Sequence, residues 1–454
     1  MPAKILDITA GAYDFIVVGA GSASCLIALC LSQQLLNHPV LVLEAGEHIR
    51  NDRKVQTPGL ATSLLSNPTY DWDCSSAPEP GLNEKIVKHP RGKLVGGSSA
   101  INSHSVVFPN HEWHDRIADE LLSGPGREVW SSQGISDCNR RWQAEQSRPS
   151  VDEDVGSLDH VQTSFPRTMD LIQSRWMEAF KELGHSTNPT GFVESSAGAV
   201  SVTNAIDVSK GERSHAGTAF LEPALKRGSV TLKTGVKVDR IAFDEGEAHL
   251  ISGREIIPCA GAFESSVILK RSGIGSKDVL AAANVTDPVR ASGVGKNLQD
   301  HINCGMSFET KGDIPTRDDV LRNPQVRQAA LIEYEKNRTG RLSEGVAYSF
   351  AFTPLQMLET AAETQEFTQK VQECVGRETN PNLKAQYALT QKAIESPSEA
   401  TATTFMLHLQ RHKYDDSLPN NTPSVVDGNY ITVVAMPSHP FSRGSCHITP
   451  NHQV

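Results

Sequence analysis

The residues with the clearest chemical assignment stand near the N-terminus. Gly19-Ala20-Gly21-Ser22-Ala23-Ser24 follows one apolar run, and Glu44 closes a second. Gly19 permits a sharp turn, and Gly21 lacks the Cβ that would keep a pyrophosphate at a distance. The backbone N–H groups of Ser22 and Ala23 then open a helix, at the end where its dipole favours negative charge. Glu44, followed by Ala45 and Gly46, can accept hydrogen bonds from both hydroxyls of an adenosine ribose. Ser24 replaces a third glycine and slightly crowds the packing of helix on strand. An acid at the ribose argues against NADP and leaves NAD or FAD.

A second constellation is Asp71-Trp72 together with His89-Pro90-Arg91-Gly92-Lys93-Leu94-Val95-Gly96-Gly97-Ser98-Ser99-Ala100-Ile101-Asn102. Small residues such as Gly96 and Ser98 let backbone approach a flat ligand, with hydroxyls and the Asn102 amide ready to hydrogen-bond it. An ordinary Gly/Ser loop would share that composition. Other chemistries find little support. His111-Glu112-Trp113-His114 spaces its histidines by three rather than by the four of a zinc-protease helix, and G-x-S-x-G is absent. The 8 cysteines are scattered without a C-x-x-C pair, so they are expected as free or buried thiols and no metal site is expected.

Definite elements must hold these residues. Phe15–Val18 and Val40–Leu43 are continuous apolar runs, as in strands covered on both faces. With a helix over Cys25–Leu36 they make residues 13–46 a βαβ unit. Ile256-Ile257 is strand-like, Ser265–Arg271 is helical with Gly273 as its stop, and Val236–Ile241 is expected as a strand. Residues 119–165, with Asp152-Glu153-Asp154, are polar and poorly patterned, as in a solvated connection. Met169, Ile172, Trp176, Phe180 and Leu183 recur at helical spacing ahead of Gly184. Leu355–Val375 carries a second helical pattern, and Tyr430–Met436 a strand ending in a His439-Pro440 turn.

The bulk composition is that of a globular chain. Of 454 residues 38% are hydrophobic and 21% charged, and the net charge is −10, so no basic footprint for nucleic acid or anionic membrane exists. Disordered, collagenous and disulfide-scaffold classes are excluded on the same figures. Phe15–Leu31 is uncharged but shorter than the roughly 20 apolar residues of a membrane span. Met1–Ala12 has no apolar signal-peptide core, so a cytoplasmic location is expected and the sequons at Asn284, Asn337 and Asn420 carry little weight.

Taken together, these motifs resemble the glucose–methanol–choline (GMC) family of FAD-dependent oxidoreductases. Gly92–Asn102 is similar to the first family signature, and Gly261–Gly275 matches the second position for position. Gly211-Glu212-Arg213-Ser214, Gly293–His301 and His439-Pro440-Phe441-Ser442-Arg443-Gly444 follow in family order. The resemblance implies an α/β fold: a Rossmann-like FAD-binding domain with an α+β substrate domain containing an antiparallel sheet. Residues 1–165 and 211–301 would form the FAD-binding domain. Residues 166–210 would be a connecting or substrate-domain segment, and 302–454 the substrate domain. Ser22, Ala23, Glu44 and Ala45 would hold the ADP half, with Val238 at the adenine. Asn102, Ser103, His104 and Ser105 would border the isoalloxazine and pyrophosphate, with a surface position as the alternative for His104. Some relatives attach the flavin through a histidine just before the signature asparagine. Here Ile101 stands there, so FAD is expected to be non-covalent.

The implied reaction is oxidation of a primary or secondary alcohol to a carbonyl by hydride transfer to flavin N5, with a histidine taking the hydroxyl proton. In the family that histidine lies downstream of the H-P-x-S-R-G motif. It is therefore expected beyond Val454, in a chain truncated at its C-terminus, and His301, His447 and His452 are weak substitutes. A small alcohol is the expected partner. The alternatives are a flavin-binding remnant without turnover and a non-redox lyase relative.

Overall fold

The computed structural model describes residues 13–108, 110–145, 160–167, 171–188, 197–244, 247–249, 253–285, 289–311, 314–355, 360–411, 413–414, 423–424 and 426–449. Met1–Ala12, Asp152-Glu153-Asp154, Met169, Asn420 and His452 lie outside these residues.

Two larger sheets stand beside several two-stranded pairs. The first is parallel, in the order Val230–Lys233, Val40–Leu43, Tyr13–Val18, Gly253–Pro258. Alternate residues of its central strands serve opposite faces. Val17, Val40 and Val42 pack with Ala28, Leu29, Phe220 and Leu221 on one side. Ile16, Leu41 and Leu43 pack with Tyr13, Val236, Val238 and Ile256 on the other. Helix Ser22–Gln34 buries Ser24, Cys25, Ala28, Leu29 and Ser32, a stripe at helical spacing. It starts earlier than the apolar run suggests and stops before Leu36, which is 68% exposed.

Val236–Ile241 is not a strand. The chain leaves the sheet after Lys233, because Gly235 N–H donates to Gly46 O (3.1 Å) and Val236 N–H to Glu44 O (2.8 Å). Those bonds run to the loop beyond Val40–Leu43, while the sheet position is taken by Val230–Lys233. The second signature forms a helix over Gly261–Arg271, entered from Gly253–Pro258, and closes at Gly273.

The second sheet has six strands, ordered Cys304–Glu309, Tyr430–Pro437, Ala402–Leu407, Ser349–Thr353, Gly198–Ser201, Thr187–Asn188. All its pairs are antiparallel except the last. Helix Leu171–Glu182 covers it with Ile172 and Trp176, packed against Ala199, Ala351 and Met406. The Trp176 indole donates to Phe350 O at 3.2 Å. Leu183 is 70% exposed and falls outside this stripe. The Leu355–Val375 pattern becomes helix Ala361–Arg377, whose start is set by a Thr360–Glu363 capping box.

The segment 119–165 is only partly a connection. It carries the end of helix His111–Leu121, then helices Pro125–Trp130 and Ser132–Trp142, and Gln143–Glu145 pairs in parallel with Val161–Thr163. Pro125–Trp130 and Ser132–Trp142 bury no residue, so their polar composition reads as a connection although Ile135, Cys138 and Trp142 recur at helical spacing. All 8 cysteines are free.

Candidate dinucleotide site

The first glycine is required by two constraints at once. Gly19 has φ +99°, and a Cβ there would sit 2.7 Å from Cys259 O, at the end of the neighbouring strand. Its N–H donates to Leu43 O at 2.7 Å. Beyond this turn the helix begins without a cap: Gly21 supplies no side-chain hydrogen bond and the first turn holds no acid. Ser22 and Ala23 are exposed, so their N–H groups face outward from the positive end of the helix.

Glu44 lies beside this turn and is 6% exposed. Its Oε2 accepts from Ala20 N–H (2.7 Å) and its Oε1 from Gly46 N–H (2.8 Å). Burial pushes its pKa above the usual 4.5, against the opposing pull of the Gly46, Ala20 and Ala45 amides. Each oxygen keeps a second lone pair for a ligand hydroxyl. Val238 packs on Ile16, Leu41 and Leu43 on the same side of the sheet.

The glycine–serine segment meets this turn backbone to backbone. Gly96 N–H donates to Ala20 O at 2.8 Å, and Gly97, with φ +52°, would place a Cβ 2.7 Å from Gly21 Cα. Asp71, 2% exposed, anchors the segment by accepting from Ser66 N–H and Arg91 N–H, both at 2.8 Å. Trp72 N–H bonds Arg91 O at 2.9 Å, and the Lys93 ammonium lies 5.0 Å from the Trp72 ring. The Arg91 guanidinium sits 4.7 Å over Phe263 of the second signature. Ser98, exposed, accepts from Gly92 N–H at 3.1 Å.

At the far end of the segment Asn102 and Ser103 are exposed. His104 is 1% exposed, with φ +70° and neither ring nitrogen hydrogen-bonded. A surface position for His104 is thereby excluded. Burial, with the Arg213 and Arg317 cations nearby, holds its pKa well below 6.5. The Ser105 hydroxyl donates to Ala347 O at 2.9 Å and so joins the segment to the second sheet's approach loop. Arg213 was not among the expected ligand residues, yet it reaches Val55 O, Ser99 O and the Asn102 amide. Its only sequence signal is the Gly211–Ser214 match.

The weak histidine candidates lie elsewhere. His301 is exposed, with Nε2 against Ser438 O at 3.1 Å. His447 follows the Leu298–Gly444 bridge and is not in a strand. It borders a cleft of about 950 Å³ with His89, Phe263, Glu264, Arg271 and Cys446. Among the described residues no group of His, Cys, Asp and Glu could hold a metal ion, and no helix is long and apolar enough to cross a membrane. The uncapped helix start, the Glu44 carboxylate and the touching glycines Gly21 and Gly97 together fit a dinucleotide: diphosphate, ribose and a close-lying backbone floor.

The chain is similar to known proteins in sequence and fold. The family model for GMC oxidoreductase matches residues 13–303. A dehydrogenase of Armillaria gallica is 26% identical over 471 residues, covering 96% of this chain and 72% of its own. An oxygen-dependent choline dehydrogenase of Escherichia coli K12 is 31% identical over 319 residues, covering 66% of this chain and 55% of its own. Among solved structures, an FAD-dependent oxidoreductase from Chaetomium thermophilum superposes with TM-score 0.77 at 21% identity, over 95% of this chain and 75% of that one.

Proposed function

This chain belongs to the GMC oxidoreductase family, and from that membership we propose that it binds FAD and oxidises a primary or secondary alcohol to the carbonyl compound. The observation that carries the reading is the meeting of Gly19–Ser24, Glu44 and Gly96–Asn102 in one backbone-lined site. The similarity to a choline dehydrogenase and to an FAD-dependent oxidoreductase supports the choice of alcohol and flavin.

In this reading the Ser22 and Ala23 amides bind the diphosphate, Glu44 and Ala45 hold the ribose, and Val238 flanks the adenine. Trp72, Arg91, Gly96 and Ser98 shape the floor, while Asn102 and Ser103 border the ring system, with His104 and Ser105 supporting them from below. Residues 1–165 and 211–301 form the cofactor-binding unit; 166–210 and 302–454 face the alcohol. Bound FAD supplies the two-electron acceptor. Ile101 is buried at 3% exposure and offers no nucleophile, so the cofactor is held non-covalently.

Two measurements test this. Purified chain incubated with FAD is expected to retain it through gel filtration and to release all flavin on acid precipitation. Flavin remaining with the precipitate would refute non-covalent binding, and failure to retain FAD would refute the cofactor. Turnover is then followed on a panel of primary and secondary alcohols with oxygen or a dye as acceptor. FAD binding without turnover on any of them would favour the flavin-binding remnant over the oxidase.

A further inference from the structure

The Asn102 side chain is committed on one end only. Its Oδ1 accepts from His104 N–H at 3.1 Å and from Arg213 Nη1 at 2.9 Å. Both partners are donors and nothing else, so chemistry alone requires the amide oxygen, not the nitrogen, to face them. The His104 N–H bond closes a local turn in which the Asn102 side chain caps its own backbone two residues on. Nδ2 therefore points away from Arg213, on a residue that is exposed.

Arg213 is an expensive way to hold an amide. It is 4% exposed, and no ion pair to it forms among the described residues. Its bonds go to Val55 O (3.1 Å), Ser99 O (3.3 Å) and Asn102, while Nη2 is buried without a partner. For stability alone, an apolar side chain of similar size would serve as well or better. What the guanidinium adds is a rigid fork that fixes Ser99 and Asn102 from a single side chain, across 111 residues of sequence in the case of Asn102.

We propose that Arg213 is a positioning residue, which orients the Asn102 amide so that Nδ2 donates to an acceptor atom of the flavin, a carbonyl oxygen or an unprotonated ring nitrogen. The proposal rests on the FAD reading above. It makes the polarity of that side chain definite: its outward end offers a donor and no acceptor.

FAD titration of the full chain, read by flavin fluorescence and absorption, tests it alongside thermal unfolding of the apoprotein. Asn102→Asp keeps an oxygen against Arg213 but turns the outward donor into an acceptor. Its apoprotein is expected to be as stable as wild type or more so, to bind FAD about tenfold or more weakly, and to shift the flavin absorption bands. Arg213→Met is expected to weaken FAD binding, with Arg213→Lys between it and wild type. The double variant Asn102→Ala/Arg213→Met should bind FAD no worse than Asn102→Ala alone, because the arginine acts through the amide. Independent, multiplying losses would overturn the proposal, as would wild-type affinity and spectrum in Asn102→Asp. Asn102→Asp keeps the proposal open to refutation even if Arg213→Met does not fold, and Arg213→Lys, which must then bind FAD more weakly than wild type, reads the part played by the arginine. If wild type binds FAD and these outcomes fail, only the positioning role falls; if wild type binds none, the cofactor reading falls with it.

Discussion

Glu44 sets hydrogen bonding and burial against each other in one side chain. Its carboxylate ties Ala20 to Gly46 and so holds the glycine turn against the strand end, but burial raises its pKa above 4.5. A carboxyl group with a raised folded-state pKa binds protons more tightly folded than unfolded. Its contribution is therefore fully present below about 4.5 and is lost as pH rises through the folded value. Apoprotein melting temperatures should show this component over that interval, and Glu44→Gln should remove it. Parallel curves for the two proteins would contradict the assignment. The same variant puts an amide NH₂ against one of two N–H donors and gives up an acceptor for the ribose, so FAD affinity should fall by about tenfold. Glu44 was legible in the sequence because strand, turn, helix, strand and acid lie within one short unit. Arg213 was not, because its partners Val55, Ser99 and Asn102 are each more than a hundred residues away and spacing carries no trace of such contacts.

At the level of elements, the site depends on two loops that touch through glycine backbone. Gly97→Ala would combine a left-handed backbone at φ +52° with a Cβ 2.7 Å from Gly21 Cα. Neither neighbour can rotate away, so the loops must part. About 1–3 kcal/mol of stability should be lost in urea unfolding, and FAD binding should fall sharply. Gly261→Ala is the control: φ is +84° but no heavy atom lies within 4 Å of the new Cβ. It should cost about 1 kcal/mol from strain alone and leave FAD affinity near wild type. Equal affinity losses in both variants would show that the Gly21–Gly97 approach is unimportant. Apolar strands and helices with a one-sided stripe were readable in advance, as Val40–Leu43 and Leu171–Glu182 show. Val236–Ile241 misled because its valines are apolar for a different reason: they cover the sheet face formed by Ile16, Leu41 and Leu43 without joining its ladder.

The whole molecule is woven rather than strung. Strands Tyr13–Val18, Val40–Leu43, Val230–Lys233 and Gly253–Pro258 build the parallel sheet, and Thr187–Asn188 and Gly198–Ser201 complete a sheet whose other strands are Cys304–Glu309, Ser349–Thr353, Ala402–Leu407 and Tyr430–Pro437. Such interleaving has no signature in local periodicity and emerges only from which faces must be covered. Its integrity then depends on contacts between distant segments. Helix His111–Leu121 is fastened to the approach of strand Ala402–Leu407 by Arg116, whose Nε and Nη2 reach Glu399 Oε2 at 3.0 and 2.8 Å. Glu399 is 1% exposed and its Oε1 has no partner. Removing the arginine alone strands a buried carboxylate, whereas removing both charges does not. Arg116→Ala should therefore lower unfolding stability by about 3–5 kcal/mol, and Arg116→Met/Glu399→Leu should recover most of that loss. Urea unfolding of the three proteins distinguishes the cases. If the double variant is as unstable as Arg116→Ala, the helix is held by the ion pair itself and not merely burdened by the acid it neutralises.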